Sequence, residues 1–160
     1  GEIETKSDYS WGTYLDSPNR DGDSFTKYAT DKKTVLDPED DAAHVALGDN
    51  CRMPAPTEWE ELADRSNCKW EWTTLEGVPG YKVTSLKTGF TENWIFLPAA
   101  GQREGTSLQS LGEYGNYWSS WVDEPESRCY SRMLFFSEQY HYYTYFRYRC
   151  IGLSVRPVTD

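Results

Sequence analysis

Thr57-Glu58-Trp59-Glu60-Glu61-Leu62-Ala63-Asp64-Arg65-Ser66-Asn67-Cys68-Lys69-Trp70-Glu71-Trp72 is the stretch in which the hydrophobic period of this chain changes. Thr57-Glu58-Trp59-Glu60 has the form of a capping box, where a hydroxyl and a carboxylate three residues apart satisfy free backbone N–H groups at a helix start. Trp59, Leu62 and Ala63 then recur at the spacing of one buried helical face. From Cys68 onward Trp70 and Trp72 alternate with Lys69 and Glu71, which is the period of a half-buried strand. The order is helix first, strands after.

Upstream, Asp37-Pro38-Glu39-Asp40-Asp41 places an N-cap acid, a first-turn proline and acids at the positive end of a helix dipole. A short helix is expected from there to about Leu47, stopping at Gly48. The acidic cluster could also be read as a cation site, but capping explains it more simply. Tyr9, Trp11, Tyr14, Phe25 and Tyr28 follow no helical or strand period and read as an irregular, wrapped segment. Asn19-Arg20-Asp21-Gly22-Asp23 lacks the sixth-position glycine and twelfth-position glutamate of a calcium loop, so it reads as a polar turn.

Downstream, Tyr81 to Thr84 and Trp94 to Leu97 flank a turn near Lys87-Thr88-Gly89 and read as a hairpin. Pro98-Ala99-Ala100-Gly101 ends it, and a loop rich in Gly and Ser leads to Tyr114. Strands are expected from Arg128 to Ser137, Tyr140 to Tyr148 and Leu153 to Val158. Trp70, Trp72, Trp94 and Trp118 are assigned to the core, Met133 and Phe135 inward, and Arg132, Leu134 and Phe136 outward. An irregular segment, two helices and then strands give an α+β fold with segregated helices, two helices packed on antiparallel sheets with much irregular structure. Residues 1–160 show no repeat and no linker, so one domain is expected.

Composition narrows the function. At 160 residues the chain can bury about two-thirds of its unfolded surface. Charged residues make up 26%, mean hydropathy is -0.78 and no apolar run reaches the roughly 20 residues of a bilayer span. The start at Gly1-Glu2-Ile3-Glu4 places any export signal upstream or already removed. A net charge of -10 disfavours nucleic acid, which needs a cationic footprint. Arg147-Tyr148-Arg149 is read as a solvated strand face. Cys51, Cys68, Cys129 and Cys150 form no CxxC, and with only His44 and His141 no zinc spacing exists. Free thiols or one or two disulfides remain open, with free thiols favoured by the length of the chain. No Gly-x-Ser-x-Gly elbow, P-loop, dinucleotide fingerprint or His-Glu-x-x-His is present. A lone histidine is more often structural than a base, and no cofactor or metal is implied.

Five ordered blocks point to a family. Leu36-Asp37-Pro38-Glu39-Asp40-Asp41-Ala42-Ala43-His44, Arg52-Met53-Pro54 with Glu58-Trp59 and Leu62, Ile95-Phe96-Leu97-Pro98-Ala99-Ala100-Gly101, Tyr117-Trp118-Ser119-Ser120 and Gly152-Leu153-Ser154-Val155-Arg156-Pro157-Val158 resemble the major paralogous domain family abundant in Bacteroidetes and Fibrobacter. The resemblance runs from about residue 10 to the end. It implies a C-type-lectin-like fold of the variant found in formylglycine-generating enzymes and in the variable proteins of diversity-generating retroelements. In those variable proteins adenine-directed mutation spreads an Asn codon into Tyr, Ser, His, Cys, Arg, Phe, Ile and similar residues. Tyr140 to Ile151 reads Tyr-His-Tyr-Tyr-Thr-Tyr-Phe-Arg-Tyr-Arg-Cys-Ile, every residue of which that route reaches.

The sequence departs from the family's relatives in three respects. Cys51 stands where members often have an aromatic, and the Glu-Pro-Asn, Gln-Pro-Asp and Trp-Asn-Asp triplets of calcium-dependent lectins are missing, with Glu124-Pro125-Glu126 only a partial match. The paired cysteines of formylglycine generation do not match either. The resemblance therefore implies a non-enzymatic ligand-binding module with a variable region at about 119–153, at the cell surface or, alternatively, on a phage virion. Its ligand would be macromolecular, a protein or cell-surface molecule. The contact candidates are Tyr130, Arg132, Leu134, Phe136, Tyr140, Tyr142, Tyr143, Tyr145, Arg147, Tyr148, Cys150 and Ile151, since Tyr supplies rigid area with a hydroxyl and Arg supplies planar hydrogen bonding. A fixed-sequence adhesive or structural surface module is the second reading, and a formylglycine-generating type of enzyme the third.

Overall fold

Phe136, Leu134 and Leu97 are fully enclosed, and the elements that meet around them define the architecture. A computed structural model describes residues 6–29, 33–122 and 129–159, without the side chains of residues 141–144. It is α+β. Helices α1 (Ala42–Leu47) and α2 (Pro56–Ala63) precede most of the strands. Strands β2 (Cys68–Leu75), β3 (Val78–Ser85) and β4 (Trp94–Pro98) form one antiparallel sheet in chain order. A second antiparallel sheet joins β7 (Tyr114–Val122), β8 (Tyr130–Ser137) and β9 (His141–Tyr148), also in chain order. Two small ribbons complete the fold: β1 (Cys51–Arg52) with β10 (Val158–Thr159), and β5 (Gln102–Glu104) with β6 (Ser107–Gln109). Among the described residues no helix is long and apolar enough to cross a membrane.

The first helix is shorter than the sequence suggests. Pro38–Asp40 is a separate 3-10 turn, and the capping carboxylate is Asp41, which accepts from the N–H groups of Ala43 and His44. Asp41 also accepts from Met53 N–H, so one buried carboxylate starts α1 and anchors the chain after β1. Asp37 is instead held by Lys33 Nζ at 2.7 Å, while Asp40 takes Lys27 Nζ at 2.8 Å and the Tyr28 hydroxyl at 2.6 Å. The acidic cluster is thus occupied by ammonium groups. Helix α1 stops at Gly48, as expected.

Helix α2 begins two residues earlier than the capping box at Thr57 implies. Ala55 is the N-cap, Pro56 fills the first turn, and Glu58 accepts the Ala55 N–H at 2.7 Å. The two Nη atoms of Arg52 clamp the same carboxylate at 2.6 and 3.0 Å, tying β1 to α2. That pair holds the Glu58 carboxyl below its ordinary range, with burial opposing the shift.

Strands β3 and β4 form the expected hairpin. The turn between β2 and β3 is a tight two-residue loop, with Glu76 and Gly77 both at positive φ (51° and 84°), the geometry that matches strand twist. The core lies between the two larger sheets and α2: Trp59, Tyr81, Val83, Leu97, Ala99, Tyr117, Leu134 and Phe136. Fully burying one such side chain is worth roughly 1.5–3 kcal/mol. Its rings meet edge-on, Tyr81 to Phe136 at 5.4 Å and Trp70 to Tyr81 at 5.1 Å, while Tyr117 stacks on Phe136 at 5.9 Å. Gly115 pairs with Phe136, and a Cβ there would overlap the Phe136 ring.

Several expectations are corrected. Leu134 and Phe136 point into the core, not outward, whereas Met133 is buried as expected and Phe135 is only half-buried. Both faces of β8 are covered at this level, so the run Met133 to Phe136 has no polar row to mark the outside. Trp70, Trp72 and Trp118 are half-buried, but Trp94 is 49% exposed and sits under Lys82 Nζ at 4.9 Å. The Gly- and Ser-rich loop contains the β5–β6 ribbon. Leu153 to Val158 is mostly irregular, tied by bridges of Gly152 to Arg103 and Ser154 to Tyr117. Among the described residues there is no disulfide.

Candidate functional site

The β8–β9 hairpin carries most of the candidate contact residues on two surfaces, because cross-strand partners share a face and neighbours along a strand do not. Tyr145 pairs with Met133, Arg147 with Ser131, Phe146 with Arg132 and Tyr148 with Tyr130. Between Met133 and Phe135 the register slips, leaving Tyr143 and Thr144 opposite Leu134 alone, a β-bulge. Strand β9 is also an edge of its sheet.

On the first surface, Phe135 is ringed by Tyr114 at 5.3 Å, Tyr145 at 5.6 Å and Tyr140 at 6.0 Å. Farther along, the same face is covered by the chain entering β5: Asn116 Nδ2 donates to Gly101 O and Arg147 Nε to Gln102 Oε1. On the second surface, Tyr130 stacks on Tyr148 at 4.7 Å, and Trp11 meets Tyr148 edge-on at 6.0 Å. Arg132 lies over Trp121 at 5.8 Å and over Phe146 at 5.6 Å. Tyr114, Tyr140, Tyr145, Phe146 and Tyr148 are 38–49% exposed.

The remaining candidates divide differently. Leu134 and Phe136 belong to the core, and Cys150 and Ile151 are buried. Burial pushes the Cys150 thiol up to about 11, so it is protonated at neutral pH. The side chains of Tyr142 and Tyr143 lie outside the described residues. Residues 123–128, including Glu124-Pro125-Glu126, do so as well. Sequence reasoning missed Trp11, Tyr114, Trp121, Phe135 and Phe146 as surface neighbours of the hairpin. Only Phe146 carried a local signal, being inside the aromatic run.

Arg149 is not on a solvated face. It is 9% exposed and closes over the wrapped segment: Cζ stands 4.6 Å from the Phe25 ring centre, 5.5 Å from Tyr14 and 5.7 Å from Tyr28. Its Nε donates to the Tyr14 hydroxyl at 3.0 Å and Nη2 to Lys27 O at 3.4 Å. Burial raises the Tyr14 pKa, with Arg149 acting in the opposite sense. The polar turn at Asp21 is as expected, its Oδ1 accepting from the N–H groups of Asp23 and Ser24. His44 Nε2 faces Asp49 at 3.5 Å at the end of α1.

Comparison with known protein families, with characterised proteins and with solved structures finds no match for this chain.

Proposed function

We propose that this chain is a non-enzymatic binding module with a C-type-lectin-like organisation, whose β8–β9 hairpin presents changeable, Tyr-rich contacts on its two faces. The observation that carries the reading is the segregation within one hairpin. Tyr140, Tyr145, Phe146 and Tyr148 stand exposed, while Leu134, Phe136, Arg149, Cys150 and Ile151 between and beside them hold the fold. Side chains that can change without unfolding the scaffold are what a diversified receptor requires. The ligand is a macromolecule, a protein or cell-surface molecule, and the location is extracellular, on a cell surface or on a phage virion.

The test is capture. The wild-type chain, immobilised, is exposed to a surface extract of cells sharing its habitat, beside a variant carrying Tyr140, Tyr145, Phe146 and Tyr148 all changed to Ser. The proposal expects a component retained by the first and released by the second, with both proteins folded by circular dichroism. Equal retention by both would place the contacts elsewhere.

A further inference from the structure

A concave site lies between the β8–β9 turn and the edge strand β2. The cleft is about 530 Å³, within the roughly 300–1,000 Å³ range of small-ligand pockets. Its floor is Cys68, Trp70 and Tyr81, half-buried or buried, and its rim is Arg65, Lys69, Leu86, Gln139 and Tyr140, all exposed.

The chemistry of that lining is unlike the rest of the surface. In a chain of net charge -10, a cationic side chain, Arg65, and an amide, Gln139, border one hollow beside the aromatic side chains of Trp70, Tyr81 and Tyr140. The floor is already ordered by its own hydrogen bonds: Trp70 Nε1 donates to Leu62 O at 2.8 Å and the Tyr81 hydroxyl to Glu138 O at 3.0 Å. Neither group needs a ligand. Lys69 is shared with Glu71 at 2.9 Å. No acceptor among the described residues engages the Arg65 guanidinium or the Gln139 side-chain amide. Burial raises the pKa of the Cys68 thiol, with the nearby Lys87 charge opposing the shift.

From this arrangement we infer that the cleft binds a small carboxylate carried on a six-membered ring, the carboxylate on Arg65 and the ring against Trp70 and Tyr140. A guanidinium fits a carboxylate with two parallel bonds, and flat aromatic walls accept the face of a ring. Sugar acids and aromatic acids share that chemistry. The site is separate from the proposed macromolecular surface except at Tyr140, so either can fail alone.

The experiment titrates the protein with glucuronate and with benzoate, each beside its neutral counterpart, methyl glucoside and benzamide, following the indole N–H resonance of Trp70. At least one acid is expected to shift that resonance with millimolar affinity or better while its neutral counterpart does not. Glucuronate alone would identify a sugar acid and benzoate alone an aromatic acid. Arg65→Ala is expected to weaken binding by roughly tenfold or more, with Tyr145→Ala binding as the wild type does and both variants melting where it does. No shift with either acid, equal binding of a neutral counterpart, or unchanged binding by Arg65→Ala would overturn the inference.

Discussion

Replacing Arg149 removes the clasp between the wrapped N-terminal segment and the β8–β9 hairpin, and the cost follows from its contacts. A hydrogen bond to a charged donor contributes about 1.5–3 kcal/mol, and the bond to the Tyr14 hydroxyl is the better of the two. A desolvated cation over an aromatic ring adds about 1–2 kcal/mol, strongest here at Phe25, 4.6 Å away. Truncation also leaves Tyr14 and Lys27 O short of a donor inside the protein. Arg149→Ala should therefore lose about 4 kcal/mol, less than the plain sum because the contacts are coupled. For a chain of this size that is a fall in Tm of roughly 10 °C. Arg149→Lys keeps the charge but loses the planar stack and fork, and should lose about half as much. Urea unfolding gives the energy, and limited proteolysis should show residues 6–29 cut first in the variant. A loss below about 1 kcal/mol, or no new cleavage there, would refute the clasp.

Phe136→Ala should destabilise by about 3–5 kcal/mol in urea melts, whereas Tyr145→Ala should stay within about 1 kcal/mol of wild type; similar losses for the two would erase the distinction between core and surface. Gly115→Ala drives a methyl into the Phe136 ring and should cost about 2 kcal/mol or more in the same assay, with Phe136→Leu relieving part of it if the clash is the cause. The Glu58 carboxyl has a folded pKa below its ordinary 4.5, so its contribution is complete above that value and disappears as pH falls through the lower folded one. Stability measured from pH 6 downward should drop less steeply in Glu58→Gln than in wild type; identical slopes would show that the clamp with Arg52 does not report on folding.

Elements with a local signature were legible in the sequence. Helix α2 and the β3–β4 hairpin announce themselves by period and turn residues, and Gly48 marks the end of α1. The β2–β3 turn was harder, because Glu76 stands at a positive φ where Asn or Asp is the usual cue. The orientation of β8 had no local answer. Met133, Leu134, Phe135 and Phe136 are all apolar, and only tertiary packing decides that Leu134 and Phe136 face α2 and Tyr81. Arg149 shows the same limit from the other side: a charged residue in a Tyr-rich strand reads as exposed until the wrapped segment is seen to close over it. The exposed aromatic character of Tyr140, Tyr145 and Tyr148 was legible, while Tyr114 and Trp11 reach the same region only through the fold.

Deep sequencing of this locus across a population of the source organism tests the central claim most directly. The account predicts substitutions concentrated at the codons of Tyr140, Tyr145, Phe146 and Tyr148 and sparing those of Leu134, Phe136, Arg149 and Ile151. Sparse variation spread evenly over exposed and buried positions of the hairpin would contradict a changeable binding surface and favour a module of fixed sequence.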